Sequence, residues 1–149
     1  MDENALNALS ERIIRACIEV HRNLGPGLLE EVYHECLCKE MQVRGLRYKS
    51  EGPISSIYKG SECKSVFRAD LKVENTIIVE LKAVKDMLPV FEAQLMSYLV
   101  LSNLPLGLLI NSNVPLLKDG IQRIRLNFGK LSNHDLDSLL IEHGKLTLV

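Results

Sequence analysis

Asp70, Glu80 and Lys82 stand inside the two most strand-like stretches of the sequence, SVFRADLKV (65–73) and TIIVELKAV (76–84). Their neighbours are almost all apolar, so three charges there call for a reason. Side chains alternate along a strand, which puts Glu80 and Lys82 on one face with Ile78, about 7 Å apart. Whether Asp70 joins them depends on the turn. A three-residue loop, Glu74-Asn75-Thr76, pairs Val73 with Ile77 and sets Asp70 opposite Glu80. A two-residue loop, Glu74-Asn75, sets Asp70 opposite Val79 and turns it away, so only the odd register or a bulge brings the carboxylates together. If the carboxylates meet, one takes up a proton or a cation sits between them. Carboxylate oxygens suit hard divalent cations such as Mg²⁺, and the Leu81 backbone carbonyl can add another oxygen. Lys82 would then hydrogen-bond an attacking water or neutralise an oxyanion, which suits hydrolysis of a phosphodiester. A solvated Glu-Lys face explains E-x-K alone as well. Asp70 weighs against that, because Asp is depleted in strands.

A second stretch is LGPGLLEEVYHECL (24–37). It opens a helix at a glycine-rich turn and sets Glu30 and Tyr33 three apart, on one face. Taken alone, Glu30 in a first turn simply complements the helix dipole.

The elements that must position these residues follow from periodicity. Leu6, Leu9, Ile13, Cys17, Val20 and Leu24 predict a helix from about Ala5 to Arg22, ended by NLGPG. A second helix is predicted over about Leu28 to Val43, with Gly45 as its C-cap. LRYKSE and ISSIYKG read as two weak strands separated by Gly52-Pro53, followed by the two strong ones. Pro89 starts a third helix to about Ser102. The apolar run LGLLINS reads as a strand buried on both faces, and GIQRIRLNF as an edge strand. A capping box at Ser132 and Asp135 opens a last helix, over about 132–143. The order is α-α-β-β-β-β-α-β-β-α, a mixed α/β fold in one domain of 149 residues with its core at about 9–128.

Composition excludes several classes. Hydrophobic residues make up 46%, Trp is absent, and net charge is −1, so charge alone does not announce nucleic acid. The N-terminus lacks the basic start and apolar block of a signal peptide. No stretch approaches the roughly 18 apolar residues of a membrane span. A cytoplasmic protein without a membrane partner is expected. Cys17, Cys36, Cys38 and Cys63 show no C-x2-C knuckle, so they read as small hydrophobes or free thiols rather than zinc ligands.

Four blocks occur in a specific order: G-x-x-E-x-x-Y at Gly27, Glu30 and Tyr33; RAD at Arg68–Asp70; VELKAV at Val79–Val84; and FEAQLMSYL at Phe91–Leu99. From about Leu9 to Phe128 the chain resembles the GxxExxY proteins, a branch of the PD-(D/E)XK nuclease-like superfamily. One departure is Ala69, where the superfamily's name has proline. The resemblance implies an α-β-β-β-α-β core. It implies that Asp70 and Glu80 are metal ligands, that Lys82 is the catalytic lysine, and that Glu30 aids metal or water positioning. Gln94 matches the polar residue that such proteins often carry on the following helix. The implied function is a Mg²⁺ (or Mn²⁺) dependent nuclease, expected to act on DNA. A catalytically inactive nucleic-acid- or protein-binding module on the same fold is the alternative, and a domain with merely solvated charges is a third. Basic residues near the site favour the first two: Arg44, Arg47, Lys49, Arg68, Lys85, Arg123 and Arg125. Arg68, Lys85 and Tyr33 are the expected nucleic-acid contacts. So small a core is expected to grip DNA as a homodimer or with a partner.

Overall fold

The computed structural model describes residues 1–126. Two helices come first, α1 (Glu3–Leu24) and α2 (Glu30–Val43). Asp2 caps α1 by accepting the Ala5 N–H at 2.7 Å, and Gly25 ends it at φ 71°, a conformation that glycine adopts without strain. The strands are β1 (Tyr48–Tyr58), β2 (Ser61–Val73) and β3 (Ile77–Lys82). Helix α3 (Pro89–Ser102), β4 (Leu106–Asn111), a 3₁₀ turn (Leu117–Gly120) and β5 (Ile121–Arg125) follow. Each predicted helix within these residues is present. The one predicted over 132–143 lies outside the described residues.

The five strands form one sheet in chain order. Every neighbouring pair is antiparallel except β3–β4, which the α3 crossover makes parallel. The two weak strands expected around Gly52-Pro53 are one strand, β1. Pro53 pairs with Arg68 inside it. Proline is tolerated because β1 is an edge, so the missing N–H deprives no neighbour. The break expected there survives only as a kink: Glu51 takes φ 52° opposite Asp70.

Helices α1 and α2 cover one face of the sheet, through Ile13, Leu37 and Met41 against Leu71, Val79 and Leu108. Helix α3 covers the other, through Leu95 and Leu99 against Ile78, Leu109 and Ile124. A Cβ on Gly107 would stand 2.9 Å from Leu95, so glycine lets α3 lie close on β4. The side chains of β2 change sides at Asp70: Ala69 packs with the α3 layer, Leu71 with the α1–α2 layer. All four cysteines are free, and burial pushes the Cys17 thiol up to about 12. Among the described residues no helix is long and apolar enough to cross a membrane.

Candidate active site

The β2–β3 register is the three-residue-loop one. Val73 pairs with Ile77, Lys72 with Ile78 and Leu71 with Val79, which brings Asp70 level with Glu80. The backbone ladder stops there, and side chains replace it. The Asp70 N–H donates to Glu80 Oε1 at 2.8 Å, and the Leu81 N–H donates to Asp70 Oδ2 at 2.7 Å. The strands part at this point, and two carboxylates reach across to satisfy amides that would otherwise be buried without partners. N–H and C=O of one strand residue point to the same edge, so the Leu81 carbonyl faces the same gap.

Electrostatics follow from that placement. Glu80 is 5% exposed. Burial first, and the Asp70 charge second, push its carboxyl from 4.5 up to about 8. Burial likewise raises Asp70, against the pull of the Leu81 N–H, His34 and Lys82. Glu30, the first residue of α2, is half-buried and raised by burial and by Asp70, with Lys82 and His34 pulling it down. Lys82 lies within electrostatic reach of all three acids without forming a direct ion pair. Its ammonium rests over the Phe91 ring, 4.6 Å from the centroid. The backbone beyond it is clasped by β4. Ser112 donates its N–H (2.8 Å) and hydroxyl (3.2 Å) to the Lys82 carbonyl, and the buried Asn111 amide brackets Val84 N–H (3.1 Å) and C=O (3.0 Å).

A model of the PD-(D/E)XK nuclease superfamily matches residues 7–124. The chain belongs to that superfamily. Among curated proteins and solved structures, no match to the chain is found. Membership points to a nuclease-like function and to nucleic acid as the partner class. PD-(D/E)XK nucleases typically use divalent metals. The residues in the gap fit such an ion. Asp70 Oδ1 and Glu80 Oε2 accept no hydrogen bond from any described residue, and both are hard oxygen donors on carboxylates that meet at this gap. No group of three or more His, Cys, Asp or Glu among the described residues is arranged to hold a metal. Two carboxylates and a backbone carbonyl could hold an ion that keeps several of its waters.

The remaining sequence-derived residues divide. Arg68 and Lys85 are exposed near the gap. Tyr33 is turned into the core. It is 4% exposed, packs in the α1–α2 layer, donates its hydroxyl to the Gly25 carbonyl and accepts the Leu28 N–H at 3.4 Å. It fastens the glycine turn that starts α2 and so acts on Glu30 through the backbone. Four other basic candidates have partners: Arg44 with Glu40, Arg47 with Glu74, Arg123 with Asn7 and Arg125 with Glu3. Gln94 is exposed on α3 beside Tyr98, whose phenol is raised by burial and by Glu80 and Asp70. Tyr98, His34, Phe91 and Asn111 are site neighbours that sequence reasoning missed. Two signals existed: the i, i+4 spacing of Gln94 and Tyr98, and the polar Asn111-Ser112 closing an otherwise apolar strand.

Proposed function

We propose that the protein is a metal-dependent nuclease of the GxxExxY branch that hydrolyses phosphodiester bonds in DNA. The observation that supports this most is the pair of carboxylates that take over the β2–β3 ladder, each with one oxygen that accepts from no described residue. Asp70, Glu80 and the Leu81 carbonyl would hold Mg²⁺ or Mn²⁺. When bound, the ion would polarise the scissile phosphate and acidify a water. The other steps fall to the chain. Lys82 stabilises the charge that develops on the phosphate oxygens. Glu30, at the helix start, orients the attacking water. Gln94 faces the substrate from α3, with Tyr98 buried behind it. Asn111 and Ser112 hold the Lys82 backbone fixed. Arg68 and Lys85 contact phosphates beside the scissile one.

The test is incubation of the protein with single-stranded, duplex and branched DNA and with RNA, with and without Mg²⁺ or Mn²⁺. Metal-dependent cleavage of DNA is expected. Absence of cleavage of every substrate with both metals would replace this reading by a binding module on the same fold.

A further inference from the structure

Beyond the site, the β1–β2 ribbon is longer than the sheet needs. Pairing of β2 with β3 stops at Leu71, yet β1 and β2 stay paired out to Tyr58 and Ser61. The near part of this extension lies on α3: Ile54 is buried in that layer, and Phe67 packs on Tyr98 with tilted rings and centroids 5.6 Å apart. Beyond the Ile54–Phe67 pair, β1 runs on through residues 55–58 and β2 through residues 61–66, with a register shift between Ser55 and Ile57, a tip of roughly 13 Å. The tip turns through Lys59 (φ 50°) and Gly60 (φ 81°), both left-handed, as a two-residue hairpin demands.

Its side chains are unusual for a soluble surface. Ile57 is 72% exposed and Tyr58 67% exposed. Lys59 holds its ammonium over the Tyr58 ring at 5.5 Å, which leaves the second face of the ring open. On α1 and α2, Arg15, Arg22, Lys39 and Arg44 each pair with a glutamate three or four residues away. On the ribbon, Lys49, Lys59, Lys64 and Arg68 form no ion pair with any described residue. Unneutralised cations interleaved with exposed apolar and aromatic groups fit a ligand with an anionic backbone and flat apolar faces. Base faces are open only when bases are unpaired, because a duplex stacks them away. The ribbon is also continuous with the gap, since Asp70 sits at its root.

We propose that the β1–β2 ribbon is an arm that binds single-stranded nucleic acid running into the Asp70–Glu80 gap. Tyr58 forms the stacking platform, Ile57 adds apolar surface on the other face of the strand, and Lys59, Lys64 and Arg68 face the phosphates. The identity of the ligand rests on the nuclease reading; the arm's geometry does not.

The test measures anisotropy of a fluorescein-labelled oligo(dT), and of a duplex of the same length, in EDTA so that nothing is cleaved. Oligo(dT) should bind more tightly than the duplex. Tyr58→Ala should weaken it about tenfold or more, with an unchanged melting temperature, and Tyr58→Trp should restore it. Lys59→Ala with Lys64→Ala should flatten the salt dependence by about 0.7 per lysine removed. Equal binding by parent and Tyr58→Ala, preference for the duplex, or no binding by the parent would each overturn the arm. Metal-dependent hydrolysis of bis-p-nitrophenyl phosphate by the parent, a substrate too small to span both places, reports on the gap alone. Failure of the arm and failure of the catalytic reading are thus told apart.

Discussion

One hairpin carries two acidic ends with opposite fates. At its turn, Glu74 receives the Arg47 backbone N–H at 2.9 Å and the Arg47 guanidinium at 3.1 and 2.9 Å, and these hold its carboxyl below the ordinary range. At its open end, Asp70 and Glu80 have backbone amides but no arginine, and burial raises both. The strands and the residue class are the same; the difference is a cation supplied by the protein. The Glu74 end is finished by the chain, and the Asp70–Glu80 end is left short of positive charge. That deficit is what the proposed metal would fill, and it is why the two ends should respond oppositely to substitution.

Lys82 is the cation nearest to finishing the open end, and its removal should have the largest effect. Lys82→Ala should lower cleavage by about 10²–10³, the loss expected of one charge-stabilising donor. Metal affinity by calorimetry should stay near that of the parent, because a charged ammonium has no lone pair to ligate with. Asp70→Asn should do the reverse, weakening metal binding, with activity partly restored at high metal. Equal cleavage by both variants and the parent would mean that neither residue works at the open end.

Glu80 next separates the ends by pH. Its native carboxyl titrates at about 8 against the ordinary 4.5. The native state therefore binds the proton more tightly, and stability is greatest below about 4.5 and declines as pH rises through about 8. A tenfold gain in proton affinity corresponds to about 1.4 kcal/mol, so the decline should reach a few kcal/mol. In EDTA, Glu80→Gln should remove most of it and melt several degrees above the parent at pH 8, with the gap closing toward pH 5. Parallel melting curves across that range would show that Glu80 is not strained by burial.

The same hairpin shows how far the sequence could be read. Strand and helix periodicities placed the elements, and E-x-K placed Glu80 with Lys82. The register remained open because the loop length is settled by a distant contact. Glu74 and Asn75 both take φ 51°, and the Glu74 N–H bonds to the Arg47 carbonyl at 2.8 Å, from 27 residues away. No local pattern announces that. Gly52-Pro53 misled because a breaker's effect depends on whether its strand is an edge, which is a property of the sheet. Tyr33 misled because i, i+3 spacing gives a face but not what covers it; the glycine turn folds back and takes its hydroxyl. Tyr98 and Asn111 were hidden in apolar segments; their places near Glu80 and at Val84 arise only once α3 lies on the sheet and β4 pairs with β3.

The smallest expected effect belongs to the finished end. Arg47 is exposed, so its pair with Glu74 should be worth less than about 1 kcal/mol. The sign is nonetheless opposite to that of Glu80. A depressed carboxyl contributes stability that is present above the ordinary value of 4.5 and lost as pH falls through the lower native value. Glu74→Gln should therefore melt slightly below the parent at pH 7, and the difference should shrink only once acidification passes that ordinary value. Arg47→Ala should give a similar deficit, and the double variant little more than either, since each removes the same pair. A Glu74→Gln protein more stable than the parent at pH 7 would mean that both ends of the hairpin carry unfavourable charge, and the contrast between them would fail.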